Sequence, residues 1–264
     1  MSNQTSDFPK ADSLSFVAAQ GSGIVARLRR DGYDFVPGAA MRSRLVGAGL
    51  TDWDGYARSW EDLGPDRFMA DRGTYRKRRF ACFSARGAGF RPKPAQAHYQ
   101  TRQDNPLNGG IARLFEPMRD AVALHPANRA ILTVCRDLFV AATSVARRPA
   151  AWHIEMHQFR IEAHPGVSGK PTPEGLHRDG VDWVLVLMVR RENVTEGVST
   201  IADAAGTILQ DATLTEPLDA SLVDDRRVFH GVSPIRPADP LRPAWRDVLV
   251  VTFRGEPRGD GSEA

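Results

Sequence analysis

An α+β fold, with helices packed on one face of a mostly antiparallel β-structure, is predicted by three features of the chain. Apolar residues recur at three- and four-residue spacing in the first half. After Pro149 they alternate, or run continuously, in short segments. Proline and glycine punctuate those segments, and nothing repeats at a fixed period.

Ile24 to Arg30 reads as a short helix and Tyr33-Asp34-Phe35-Val36-Pro37 as a strand-like sheet edge. Met41 to Leu50 and Asp52 to Leu63 fit two packed helices. Leu114 to Val122 and Ala127 to Ala146 read likewise. In the second, Ile131, Val134, Cys135, Leu138, Phe139 and Ala142 form one stripe that buttresses a sheet. Trp152 to Glu162 alternates as a half-buried strand, with His153, Glu155, His157, Phe159 and Ile161 on one side. Further strands are expected at Asp182 to Arg190, Gly197 to Ala202, Arg226 to Val232 and Asp247 to Arg254.

A chain of 264 residues with 42% hydrophobic content can bury a sizeable core. The expectation is one domain over 1–264, loose at 1–12 and 257–264, with its functional motifs in 150–254. The net charge of +3 does not call for a nucleic-acid partner. Cys82 and Cys135 are far apart and form no CxxC pattern, so a disulfide framework is not expected. The start lacks a basic region followed by an apolar stretch, and no run is long enough to span a bilayer, so a cytoplasmic protein is expected.

Chemistry concentrates in His177-Arg178-Asp179 and His230. Two imidazoles and one carboxylate hold Fe(II) on one face of an octahedron and leave positions for a bidentate cosubstrate and dioxygen. A closed four-ligand zinc site leaves no such room. Side chains i and i+2 of a strand share a side, so His177 and Asp179 can meet one metal if Arg178 faces away. His230 must come from a distant strand. An HxD alone recurs by chance, but here it precedes the apolar run Trp183 to Val189, and His230 closes a run of its own. Trp245 to Arg254 reads as a final buried strand, and Arg246 on it is the first choice to grip a dicarboxylate with two parallel hydrogen bonds.

The segments Pro173 to Gly180, His230 to Ile235 and Arg246 to Phe253 resemble the bacterial Fe(II)/2-oxoglutarate dioxygenases of the isoleucine dioxygenase type, which hydroxylate free L-amino acids. Tyr75 to Phe80, Asn105 to Ile111 and His157 to Ile161 are similar to that group as well. The resemblance spans about 70 to 254. It implies a double-stranded β-helix of the jelly-roll, cupin-like kind, buttressed by the N-terminal helices. It also implies Fe(II) on His177, Asp179 and His230, 2-oxoglutarate anchored at Arg246, and O2 as oxidant. The chain departs from the group at the Arg- and Pro-rich stretch Arg236 to Pro243, which makes Arg242 and Arg254 competitors for the anchor. Expected partners are a small amino-acid substrate and a second copy of the chain, with neither nucleic acid nor membrane.

Tyr75, Arg76, Glu174 and Arg160 suit a zwitterionic substrate. His153 and His157 at i and i+4 would suit a zinc pair on a helix, but no HExxH pattern is present and the segment alternates as a strand, so His157 is instead placed in the pocket beside the metal strands. His125 and His164 read as surface or capping residues. The segment from His98 to Gly110 is either a substrate loop or a plain turn before a helix at Ile111. The basic run Arg72 to Arg79 is read first as a solvated strand edge, then as a substrate clamp, last as a nucleic-acid patch. Two rivals remain at this point: a cupin-like isomerase or cosubstrate-independent oxygenase, and a non-catalytic binding member of the fold.

Overall fold

The computed structural model describes residues 23–256, so the tails expected at 1–12 and 257–264 lie outside the described residues. A helix at 23–31 (α1) leads into β1 (Tyr33–Val36), α2 (Gly38–Gly47) and α3 (Trp53–Arg58), which a 3-10 turn prolongs through Asp62. Next come β2 (Gly64–Pro65), β3 (Arg76–Arg86), β4 (Gly89–Pro92), α4 (Asp120–Ala123) and α5 (Pro126–Ala142). The remainder is strand: β5 (Ala151–Ala163), β6 (Trp183–Glu192), β7 (Val194–Glu196), β8 (Val198–Ala202), β9 (Ile208–Thr213), β10 (Ala220–Asp224), β11 (Phe229–Val232), β12 (Ile235–Pro237) and β13 (Ala244–Glu256).

Local chemistry sets the helix ends. The Asp52 carboxylate accepts the Gly55 N–H at 3.0 Å to start α3. His125 Nδ1 accepts the Ala127 N–H at 3.2 Å, beside a proline at the first helical position of α5. His125 is therefore a cap, as read from the sequence. The Thr143 hydroxyl donates to the Phe139 carbonyl at 2.7 Å, and the next residues are extended, so α5 stops short of Ala146.

One eight-stranded antiparallel sheet has the order β1-β10-β6-β13-β5-β3-β2, with β4 also on β3. Smaller sheets, β11-β8-β9 and β12-β7, complete a double-stranded β-helix. Period-two alternation splits the faces of the large sheet. Trp152, Ile154, Met156, Leu249, Val251 and Phe253 pack on α5 residues such as Ile131, Leu138 and Phe139. Val184 and Val223 point the other way and meet Ile201 of the small sheet. Between the sheets, the inward face of β5 and β13 is left for a pocket.

Two expectations fail for physical reasons. Leu114 to Val122 is mostly extended: the Phe80 N–H donates to the Glu116 carbonyl at 2.9 Å and the Met118 N–H to the Phe80 carbonyl at 2.8 Å. Those bonds pin the segment to β3, and only the four-residue α4 follows. The basic run is no solvated edge, because β3 pairs with β5 from Arg76↔Ile161 to Ala85↔Trp152, and Arg76 and Arg78 are buried.

Candidate active site

His177 and His230 face each other across an isolated antiparallel bridge. Each N–H donates to the other's carbonyl at 3.0 Å, which sets the two rings 4.6 Å apart between centroids. Arg178 turns away and lies over the Phe229 ring at 4.3 Å. The HxD segment is thus a bridged loop entering β6 rather than the regular strand expected. Asp179 is held by its backbone: Asp225 accepts the N–H groups of Asp179, Gly180 and Val181 at 2.9, 2.8 and 3.0 Å. Gly180 has φ +75°, and a Cβ there would stand 2.6 Å from Asp104 Oδ2, so the turn requires glycine.

Nitrogen and oxygen atoms of His177, Asp179 and His230 lie within 4.8 Å of one another. His177 Nδ1 donates to the Gly175 carbonyl at 3.1 Å, which leaves the Nε2 lone pair facing Asp179 Oδ1 at 3.7 Å. His230 Nε2 is buried without a hydrogen-bond partner among the described residues, 3.4 Å from Asp179 Oδ2 and 3.6 Å from Asp225 Oδ1. Burial opposes charge on His230, but Asp179 and Asp225 outweigh it and raise its pKa to about 10. Burial likewise works against an ionised Asp179, yet the two imidazoles hold its carboxyl well below the usual range. Two oriented imidazoles, a committed carboxylate and an orphaned buried nitrogen fit a divalent first-row transition metal that keeps open coordination positions.

These atoms open on a cavity of about 320 Å³. Arg246 enters it from β13, 1% exposed, with Nε and Nη2 lacking a hydrogen-bond partner among the described residues. Burial, helped by Arg191, lowers it to about 10, so it remains a cation at neutral pH. Arg242 is instead exposed on Glu192 at 2.7 Å, and Arg254 is exposed at the pocket wall.

Of the expected substrate residues, Arg76, His157 and Glu174 line this cavity. Arg160 does not: it lies on the opposite face of β5 and donates to both Asp247 oxygens at 2.7 Å. Tyr75 does not either, because its hydroxyl donates to Asp71 at 2.7 Å and its ring packs with Met69, Ile161 and Ile235. No helix begins at Ile111; the 98–113 segment forms a wall instead. On that wall Gln100 donates to Asp179 Oδ1 at 3.0 Å and accepts from Arg113 Nη2 at 2.8 Å. The buried Asp66 carboxylate accepts from Arg76 at 2.8 Å and Arg78 at 3.3 Å, while Arg78 stacks on Phe115 and Phe159. Burial brings Arg78 down to about 9. Sequence reasoning missed Gln100, Arg113, Glu155 and Asp225 as site residues. The i, i+2 alternation of Arg76 with Arg78 was a usable signal for the clamp; Arg113 carries none.

A two-histidine, one-carboxylate corner beside an unpaired buried guanidinium, both inside a double-stranded β-helix, defines a non-haem iron oxygenase that takes a 2-oxo dicarboxylate. The chain belongs to the 2OG-Fe dioxygenase family, whose model matches residues 57–252. Its cofactors are accordingly Fe(II), 2-oxoglutarate and O2, which removes the cosubstrate-independent rival. It is 26% identical over 242 residues to 3(1)-hydroxy-L-isoleucine 4-dioxygenase of Pantoea ananatis (strain AJ13355), covering 86% of this chain and 93% of that protein. It is similar to a bsmA homolog from Methylobium petroleophilum PM1, at 36% identity and a TM-score of 0.79, over 90% and 94% of the two chains. The fold is also that of IDO from Bacillus thuringiensis, with a TM-score of 0.73 at 18% identity over 97% and 100%. Among the described residues no helix is long and apolar enough to cross a membrane.

Proposed function

We propose that the protein hydroxylates a free L-amino acid or a close derivative, with 2-oxoglutarate converted to succinate and CO2. The carrying observation is which buried polar atoms of the pocket lack partners among the described residues: His230 Nε2, Arg246 Nε and Nη2, Arg78 Nε, Arg113 Nε and Glu174 Oε2. Such orphans cost free energy unless a ligand satisfies them. His230, with His177 and Asp179, would hold Fe(II). Arg246 would take the distal carboxylate of 2-oxoglutarate. What remains is a guanidinium pair and a carboxylate oxygen, opposite charges that together match a zwitterion. Its carboxylate falls to Arg113, beside Arg78, and its ammonium to Glu174. The name of the Pantoea relative supports the same substrate class.

Bound at this corner, Fe(II) with 2-oxoglutarate and O2 supplies the oxidising power that places a hydroxyl on carbon. The protein's own share is positioning. Asp225 fixes the loop that aims Asp179, and Gln100 adds a hydrogen bond to the same carboxylate. Val181, Val186, Val232, Val248 and Val250 line the cavity with groups that hold no water. Incubating the purified protein with Fe(II), 2-oxoglutarate and each proteinogenic amino acid, under air, should give succinate together with a hydroxylated product by mass spectrometry. Succinate release indifferent to every amino acid would sink the substrate class.

A further inference from the structure

One cluster on the pocket wall is used neither by the iron corner nor by Arg246. Glu155 lies 2.8 Å from His98 Nδ1, 3.3 Å from His153 Nε2 and 3.8 Å from His157 Nε2. Two of these rings are held from behind by cations. Lys93 Nζ is 2.9 Å from His153 Nδ1, and the Arg78 guanidinium meets His157 Nδ1. Ammonium and guanidinium groups only donate, so both Nδ1 atoms accept and both Nε2 atoms carry the proton. Those N–H groups face Glu155. A metal ion at this cluster would need lone pairs where the protons sit, and burial, helped by Glu155, pushes the neighbouring Cys82 thiol up to about 12. The cluster is a fixed carboxylate rather than a second metal centre.

His98 differs from its neighbours. Its Nδ1–H donates to Glu155, among the described residues no cation meets its other nitrogen, and in the neutral tautomer that Glu155 selects Nε2 is the acceptor. Phe80 and Phe115 pack on the ring, 5.8 and 6.0 Å away between centroids, and the residue lines the cavity. A carboxylate that orients an imidazole in this way leaves a directed acceptor. Gln100, two residues on, touches Asp179, so His98 stands on the same cavity wall that reaches the iron corner.

We propose that His98, oriented by Glu155, selects the substrate's side chain: its Nε2 accepts a hydrogen bond from a neutral donor, a hydroxyl or amide N–H, that the side chain carries. The inference rests on the amino-acid reading above. In that reading Arg113 and Glu174 already match the charges of the head group, so a neutral acceptor is left for a neutral donor. A buried acceptor discriminates strongly, because an apolar substrate would leave it unpaired. The preferred substrates are thus amino acids with a polar side chain, and aliphatic isosteres are poor.

The test is anaerobic calorimetry and aerobic turnover of the iron-loaded protein across the proteinogenic amino acids, read within the near-isosteric pairs L-threonine/L-valine and L-asparagine/L-leucine. The polar member should be favoured by roughly tenfold or more, the loss expected for one unmade buried hydrogen bond. His98→Phe should reverse that preference, and Glu155→Gln should weaken it; the second variant serves if the first fails to fold. A panel dominated by valine, leucine, isoleucine and methionine overturns the proposal. So does an equal loss for both members of each pair in His98→Phe, which would put the ring on the head group. If no amino acid binds or turns over, the amino-acid reading itself falls and takes this selector with it.

Discussion

At the iron corner backbone does the holding, whereas at the substrate wall buried side-chain charges do. His177 and His230 are tied by reciprocal main-chain bonds, and three consecutive N–H groups converge on Asp225. Across the cavity, Arg76 and Arg78 share Asp66, Arg113 leans on Gln100, and three imidazoles surround Glu155. A backbone-held site keeps its geometry whichever ligand it meets. A charge-held wall is committed to particular ligand charges, so substitutions there should change selectivity before they change the fold.

The largest expected effect is at the corner. Asp179→Ala should abolish turnover and iron retention, with circular dichroism unchanged, because Asp179 is the proposed carboxylate ligand and adds no core packing. Normal succinate release by that variant would break the contrast at its first term. Arg246→Met comes next. It should raise the 2-oxoglutarate requirement by roughly a hundredfold, since two charge-assisted hydrogen bonds are lost. The cofactor-free protein should melt no lower than the parent, because an unpaired buried cation is replaced by an apolar chain of similar length. An unchanged 2-oxoglutarate requirement would move the anchor to Arg254.

Asp225→Asn probes the same corner one step from the ligands. An amide turns donors toward N–H groups that a carboxylate accepts, so iron affinity should drop about tenfold to a hundredfold while substrate preference stays put. A shifted preference with iron affinity intact would reverse the division between the two regions.

The corner was legible because HxD and the distal His are local patterns whose chemistry dictates residue type and spacing. The strand β5 was legible too, since its two faces alternate as Trp152, Ile154 and Met156 against His153, Glu155 and His157. The wall was not. Arg113 reaches the pocket through a single bridge to His98, and Asp225 acts through main-chain groups some 45 residues away, neither of which leaves a periodic trace. Arg160 misled for a related reason: it stands one residue from Phe159, and a strand sends neighbours to opposite faces. β10 was missed as well, being five residues buried on both faces with no alternation to read.

Acid should expose the wall before the core. Burial holds His157 at about 3, against an ordinary value of 6.5, with Arg78 adding to the effect against Glu155. The folded state therefore refuses a proton that the unfolded chain accepts, and the resulting stability is complete above 6.5 and falls as pH drops toward 3. Below 6.5 the slope should approach about 1.4 kcal/mol per pH unit, read from urea midpoints. Glu155, depressed by its three imidazoles against burial, adds a loss of the same sign only below its ordinary 4.5. His157→Phe, at a ring stacked on Phe159 and packed against a tilted Phe80, should flatten the 4.5–6.5 window; an unchanged slope there would mean that the wall does not carry the acid sensitivity.

The smallest effect belongs to an arginine that neither region uses. Arg242 meets Glu192 at 2.7 Å with both side chains largely exposed, 60% and 46%. Exposed pairs of this kind are worth about 0–1 kcal/mol, because water and salt screen them. Arg242→Ala should leave the melting temperature and the 2-oxoglutarate requirement where they were. A rise in that requirement comparable with Arg246→Met would show that the loop from Asp239 to Pro243 folds over the cavity during turnover. The backbone-held corner would then depend on a surface charge.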